Sequence, residues 1–429
     1  MSGESEGQDQ HPVFQPSPDF LARQRRIDDA INLRKPDRVP VAPLMFHYYA
    51  NKRNGVLNRE AHYDTHRMFE LWRDAIVEHD WDCAIPYGSV PAGRPLELLG
   101  ATQIRWPGHG LADDAPFQFV ENEYMRQDEY DELLANPTAF AVTKLWPRIA
   151  PALAPISAMA QTTPPPVLYF SNHYMLPNLF GNMLADPAIV QTLENLLALG
   201  KEMAQQTQDV IEYSMMMMGL GYPLLWGAIT FPAFDWISDV LRGLRGTSMD
   251  MYQVPDKLLA AVEMFTPWTI DMTLAWAAQT GTKGVFIPMH RGADGFMSDE
   301  QFAKFYWPCV KALFLGLIEA GLTPMPLIEG RYTSRLKYFQ ELPPKKIAAH
   351  WDRVDRKKAK ELLGDTMCFW GNVPASLLCT GTPHQVKDDV KELMEIFGDN
   401  GGLIIDGSIG IPDESRPENV YALREAVEE

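Results

Sequence analysis

The chain is expected to fold as an α/β protein, a (β/α)8 barrel of the TIM type. Two patterns carry that expectation. Short apolar runs recur along the chain, and helical segments with start and stop signals sit between most of them. Apolarity continuous over such lengths suits strands covered on both faces, as in parallel sheets. About eight alternations of strand and helix suit a closed barrel, with an open doubly wound sheet as the alternative.

The strand candidates, in order, are Arg38–Phe46, Asp82–Gly88, Tyr222–Thr230, Gly284–His290, Thr323–Gly330, Lys346–Asp352, Cys368–Pro374 and Gly402–Ser408. The helices between the later runs have explicit grammar. Ser298 followed three residues later by Gln301 predicts a capping box, and Gly321 a stop. Thr382 as cap, Pro383 in the first turn and Gly398 as stop repeat the pattern. The stretch from about Ala101 to Gly221 fits no simple strand–helix unit and reads as a helical insertion before the third barrel strand. Within it, Gln161–Phe170 is a candidate extra strand. The expected organisation is a polar disordered tail over residues 1–20 and one barrel domain over 21–429.

Composition narrows the function. A net charge of −18 disfavours phosphate backbones and anionic lipid, so neither nucleic acid nor a membrane surface is an expected partner. No run approaches the roughly 18 apolar residues of a membrane span. The N-terminus lacks the basic and apolar regions of a signal peptide. The four scattered cysteines give neither a disulfide framework nor a zinc-finger spacing. A cytoplasmic protein is the expectation, as a monomer or homodimer.

Several apolar runs end abruptly in polar groups: His290, Glu329, His350 with Asp352, Asn372, and Asp406 with Ser408. In a barrel, strand C-terminal ends form the floor of the active site, so these groups should converge on one mouth. An isolated carboxylate at Glu329 would be costly without a partner or a proton. His290 is the candidate for a ligand or general acid beside it, while Arg331 or Arg335 could pair with Glu329. Arg291 reads as a local partner of Asp294. His350 and Asp352, two apart, share a face of their strand. Glu329, His290 and Asp352 form the expected catalytic set. His47, Tyr48, Tyr87, Trp226, Arg331, His350, Asn372 and Ser408 form the expected substrate-binding set.

The segments "PDRVPVAPLMFHYY", "YPLLWGAITFPAFDWISDVLRG", "GADGFMSDEQFAKFYWP", "GNVPASLLCTGTPHQVKDDVKELMEIFG" and "GGLIIDGSIGIPDESRPENVYALREAVEE" resemble the uroporphyrinogen decarboxylase superfamily. The likeness runs from about Asp37 to Val427 and is weakest between Thr143 and Gly219. It implies a (β/α)8 barrel and either of two activities: cofactor-free decarboxylation of uroporphyrinogen, or methyl transfer with corrinoid proteins, often with zinc. The decarboxylase branch carries an arginine-rich motif after its first strand, where this chain has "MFHYYANKRNG". It carries an aspartate after its second, where this chain has "DCAIPYGSV". A polycarboxylate substrate also needs a basic cleft.

The chain therefore looks closer to the methyltransferase branch. Its thiol-activating members place His and Cys where Leu327 and Glu329 stand here, and a Cys near Ser408. The resemblance then implies a different methyl donor: a small methylated, plausibly methoxylated aromatic, compound, as in O-demethylation. The acceptor would be the cobalt of a corrinoid (cobalamin) on a partner protein. Glu329 and His290 are the candidate ligands if a zinc ion is held. A cofactor-free decarboxylase is the alternative.

Overall fold

The structure, a computed structural model, describes residues 14–45, 47–85, 90–160, 172–398 and 401–429. Strands are numbered in chain order. β1 (Ile104–Pro107), β2 (Gly110–Leu111) and β3 (Gln118–Phe119) make a small sheet of order β2-β1-β3 inside the insertion. The main sheet is β4 (Ala228–Ile229), β5 (Gly284–Met289), β6 (Thr323–Arg331), β7 (Ala348–Arg353), β8 (Cys368–Trp370) and β9 (Leu403–Ile404). It is parallel throughout, in sequential order from β4 to β9.

Two further chain segments bridge its edges. Val41 pairs in parallel with Ile405, beside β9, and Ala84 with Leu224, ahead of β4. The Asp82 amide donates to the Val41 carbonyl, joining the two segments. Eight strand positions thus follow one another around a ring, the barrel expected from the sequence. Each barrel strand from β5 onward is fed by a helix on the outside, including Pro255–Thr280, Trp307–Glu319 and Pro383–Phe397.

Side-chain alternation divides the barrel. Val285, Ile287 and Met289 on β5 and Ile328 on β6 lie buried in the apolar core. The Trp370 indole N–H donates 3.0 Å to the Ala42 carbonyl, tying β8 to the first strand position. Asp82, wholly buried, takes hydrogen bonds from Arg26, Arg38 and the Val41 amide, fastening the first two strand positions to the N-terminal helix Pro18–Ile31.

The capping box expected at Ser298 with Gln301 forms. Thr382 caps its helix as expected, and Gln385 closes a second capping box there. Residues Ala101–Gly221 hold helices plus the small sheet, ending in the long helix Pro187–Gly219. The candidate strand Gln161–Phe170 lies outside the described residues. One boundary moves: Ser17 caps the helix that begins at Pro18, so residues 18–20 belong to the folded unit rather than to a tail. Among the described residues, no helix is long and apolar enough to cross a membrane.

Candidate active site at the barrel mouth

His290 follows the last residue of β5 and Glu329 lies near the end of the neighbouring β6. The His290 Nε2 stands 3.6 Å from a Glu329 carboxylate oxygen. The other ring nitrogen, Nδ1, meets Asp239 Oδ2 at 2.5 Å. Asp239 comes from the segment after β4, where the helix Ala233–Trp236 continues as a π turn over Ile237–Arg242. π turns of this kind recur at functional sites. Asp352, from β7, accepts the Gly330 N–H at 2.9 Å and so fixes the backbone next to Glu329.

Behind this row lies a buried acid. Asp235 is fully buried, accepts the Tyr306 hydroxyl at 2.6 Å, and accepts the Arg291 amide at 3.0 Å. Tyr306 sits in a second π turn, Phe302–Tyr306. Arg291 is committed to the same cluster: its Nε donates to Ser238, and its guanidinium lies 2.7 Å from Asp239 and 3.5 Å from Glu121.

The electrostatics follow from this crowding. Burial of the His290 ring works against its charge. The hydrogen bond to Asp239 and the fields of Glu329 and Asp235 outweigh burial and lift its pKa to about 9. Burial pushes Glu329 above the ordinary carboxylate range, and the nearby Asp239 and Asp352 add to the shift, while His290 opposes it. Its side chain is still 42% exposed, so the carboxyl remains reachable from the mouth. Burial holds Asp235 up at about 7. The site thus carries one imidazolium facing a proton-hungry carboxyl, with the imidazole oriented by a second carboxylate.

Of the expected residues, the structure brings His290, Glu329 and Asp352 together on adjacent strands. The others stand elsewhere. Tyr48 is fully buried and shares its hydroxyl with His62 at 2.6 Å, so it does not line an open site. His350 is also fully buried and meets Asp406 at 2.9 Å inside the barrel. Trp226 is buried and stacks on Phe286 at 4.7 Å, within the barrel. Asn372 is buried and takes a hydrogen bond from Arg356. Ser408 is buried, its amide bonded to the Val373 carbonyl. His47 is half-buried, its ring 4.4 Å from Phe117. Arg331 is exposed at the end of β6. Tyr87 lies outside the described residues.

Two expected pairings are replaced. Arg291 joins Asp239 rather than Asp294, which instead meets Arg335 and Ser334. Arg335 joins Asp299, leaving His290 as the partner of Glu329. Sequence reading missed Asp235, Asp239 and Tyr306. The signal available was the four-residue spacing of the two aspartates directly after a strand, which puts both on one helix face.

Two candidate ligands, His290 and Glu329, converge, yet among the described residues no group of three His, Cys, Asp or Glu is placed to hold a metal ion. Tetrahedral protein-held zinc needs three or four such donors. The bond from Nδ1 of His290 to Asp239 leaves Nε2 available to a metal, as carboxylates do behind metal-bound imidazoles, but His290 and Glu329 supply only two donors.

The architecture and the converging strand ends place the chain in a barrel class whose sites lie at the C-terminal mouth. Residues 227–429 match the family model for uroporphyrinogen decarboxylase (URO-D). The uroporphyrinogen decarboxylase of Chlorobium phaeovibrioides (strain DSM 265 / 1930) is 33% identical over 79 residues, 18% of this chain and 22% of that protein. That of Pseudoalteromonas translucida (strain TAC 125) is 31% identical over 83 residues, 19% of this chain and 23% of that protein. The aligned stretch is thus about a fifth of the length of these curated relatives. A methyltransferase from Methanosarcina mazei shares the fold at a TM-score of 0.61 and 14% identity, over 95% of this chain and 98% of that one. The superfamily resemblance read from the sequence is borne out over residues 227–429, which match the uroporphyrinogen decarboxylase model. Over nearly the whole chain, the methyltransferase structure shares the fold.

Proposed function

We propose that the protein transfers a methyl group from a small methylated substrate, a methoxylated aromatic, to a corrinoid carried by a partner protein. The observation that supports this reading most is the charged His290 facing Glu329 at the mouth, with Asp239 behind it. Removing a methyl group from a phenolic oxygen leaves a phenolate, which needs a proton as it departs. His290 Nε2 is the donor: the leaving oxygen keeps the electron pair of the broken carbon–oxygen bond and takes the proton from the ring. Asp239 holds the imidazole charged and oriented, and Glu329 returns the proton between turnovers. Phe231, 5.8 Å from His290, offers an aromatic wall for an aryl ring. The corrinoid supplies the nucleophile that accepts the methyl group.

The decarboxylase alternative finds less support at this mouth. A polycarboxylate would meet Asp239, Glu329, Asp352 and Glu121, while Arg291 is already paired.

The proposal has a pH signature. With its pKa near 9, His290 stays a proton donor up to about pH 9. Because folding raises this pKa from 6.5, the site's contribution to stability is complete below about pH 6.5 and fades as pH rises through about 9. Asp239→Asn removes the main support for the charge. In a methyl-transfer assay with a reduced corrinoid protein and a panel of methoxyaromatics, the basic limb of the wild-type profile should lie near pH 9. In Asp239→Asn it should move toward 6.5. An unmoved limb would mean that His290 is not the acid.

A further inference from the structure

We infer that Asp235 is the positioning residue for His290: it fixes the main chain just after the histidine, while Asp239, one helical turn further on, fixes the ring. Both grips come from one helical segment. Asp235 lies on the helix Ala233–Trp236 and Asp239 on the π turn that continues it. The Arg291 amide donates to Asp235 at 3.0 Å, and His290 Nδ1 stands 2.5 Å from Asp239. The Arg291 side chain is held by the same segment, its Nε by Ser238 at 2.9 Å and its guanidinium by Asp239 at 2.7 Å. Residues 235–239 thus hold His290 and Arg291 by main chain and side chain together.

The sheet does not supply this hold. The paired positions of β5 and β6 end at Met289 and Ile328, so His290 is the first residue beyond the ladder. The peptide between His290 and Arg291 sets the direction in which the imidazole leaves the chain. Its N–H is bonded to a side chain, Asp235, rather than to a neighbouring strand. Rotation of that peptide would carry the ring away from Glu329 as well as from Asp239.

Asp235 is itself braced from behind. Its second carboxylate oxygen accepts the Tyr306 hydroxyl at 2.6 Å, and both residues are wholly buried. Tyr306 and Tyr332 also close on the residue after Arg291. A Cβ on Gly292 would run into the Tyr332 hydroxyl and lie 2.6 Å from the Tyr306 ring. Being buried, Asp235 acts on the reaction only through His290. A misplacement of about 1 Å in a reacting group can cost about 10²-fold in rate. This role rests on the methyl-transfer reading for its kinetic consequence only, because the placement of the ring is visible without an assay.

The test compares full-length Asp235→Ala, Asp235→Leu and Asp235→Asn by crystal structure and by single-turnover and steady-state methyl transfer. Alanine opens space and leucine fills it, but neither accepts the Arg291 amide. Asparagine keeps an acceptor in the same place. In whichever of Asp235→Ala and Asp235→Leu folds, the His290 ring should leave Asp239 and Glu329. There kcat should fall about 10²-fold with KM little changed. Asp235→Asn should keep the ring in place and restore most of kcat. A residue that only stabilised the fold would lower the unfolding midpoint without moving the ring or dividing kcat from KM. A folded Asp235→Ala or Asp235→Leu with the ring still on both partners overturns the inference. So does an Asp235→Asn variant whose ring is displaced, or failure of both Asp235→Ala and Asp235→Leu to fold, which would make Asp235 a residue of the fold. A wild type inactive on every methylated substrate would sink the methyl-transfer reading instead, and the crystal structures would still decide the positioning role.

Discussion

His290→Gln should lower the rate of methyl transfer by about 10²- to 10⁴-fold while leaving the protein folded, the range expected when a positioned acid is removed. Glutamine keeps a polar group near Glu329 but carries no titratable proton. Glu329→Gln should fall in the same range for a related reason: the partner that recharges His290 is gone, and one carboxylate that holds its charge is gone with it. Two residues acting as one unit are not additive, so the double variant should be little worse than either single one. The check is single-turnover kinetics of all three variants with the corrinoid protein saturating. Losses that multiply would separate the two residues into independent roles.

Asp82→Ala should produce the largest loss of stability, about 3–5 kcal/mol, because it strips a wholly buried carboxylate from two arginines. Arg26 keeps Asp37, but Arg38 loses its bidentate partner, and the Val41 amide loses its acceptor. These contacts bind the first two strand positions, where the ring is held by isolated bridges rather than by a long ladder. Denaturant unfolding followed by circular dichroism measures the effect. A change below about 1 kcal/mol would show that the ring is fastened elsewhere.

Much of this architecture could be read from local rules. Capping residues at Ser298 and Thr382 act over three residues, so sequence spacing alone locates them. Buried parallel strands announce themselves by continuous apolarity. The pairing of His290 with Glu329 was legible because each ends an apolar run, and adjacent strands bring such ends within one strand spacing. Depth was harder to read. His350 and Asp352 do share a face, but two residues along a strand span about 6.6 Å. That distance puts Asp352 at the mouth and leaves His350 inside the barrel against Asp406. Tyr48 shows another limit, since a short helix, Tyr49–Arg53, and His62 bury it after the first strand position. Asp239 was hidden for a different reason. A carboxylate on a helix usually faces water, and only the turn after β4 brings it to a histidine 51 residues away.

The most direct test of the central claim follows both products of one turnover. Purified protein, reduced corrinoid protein and a methoxyaromatic substrate are mixed, and the cobalt absorption spectrum, free phenol and carbon dioxide are recorded together. The account predicts a cobalt spectral change matched one for one by phenol, with a rate that falls above about pH 9 and no carbon dioxide. Carbon dioxide release from a carboxylated substrate, with the cobalt spectrum unchanged across the methylated panel, would contradict it.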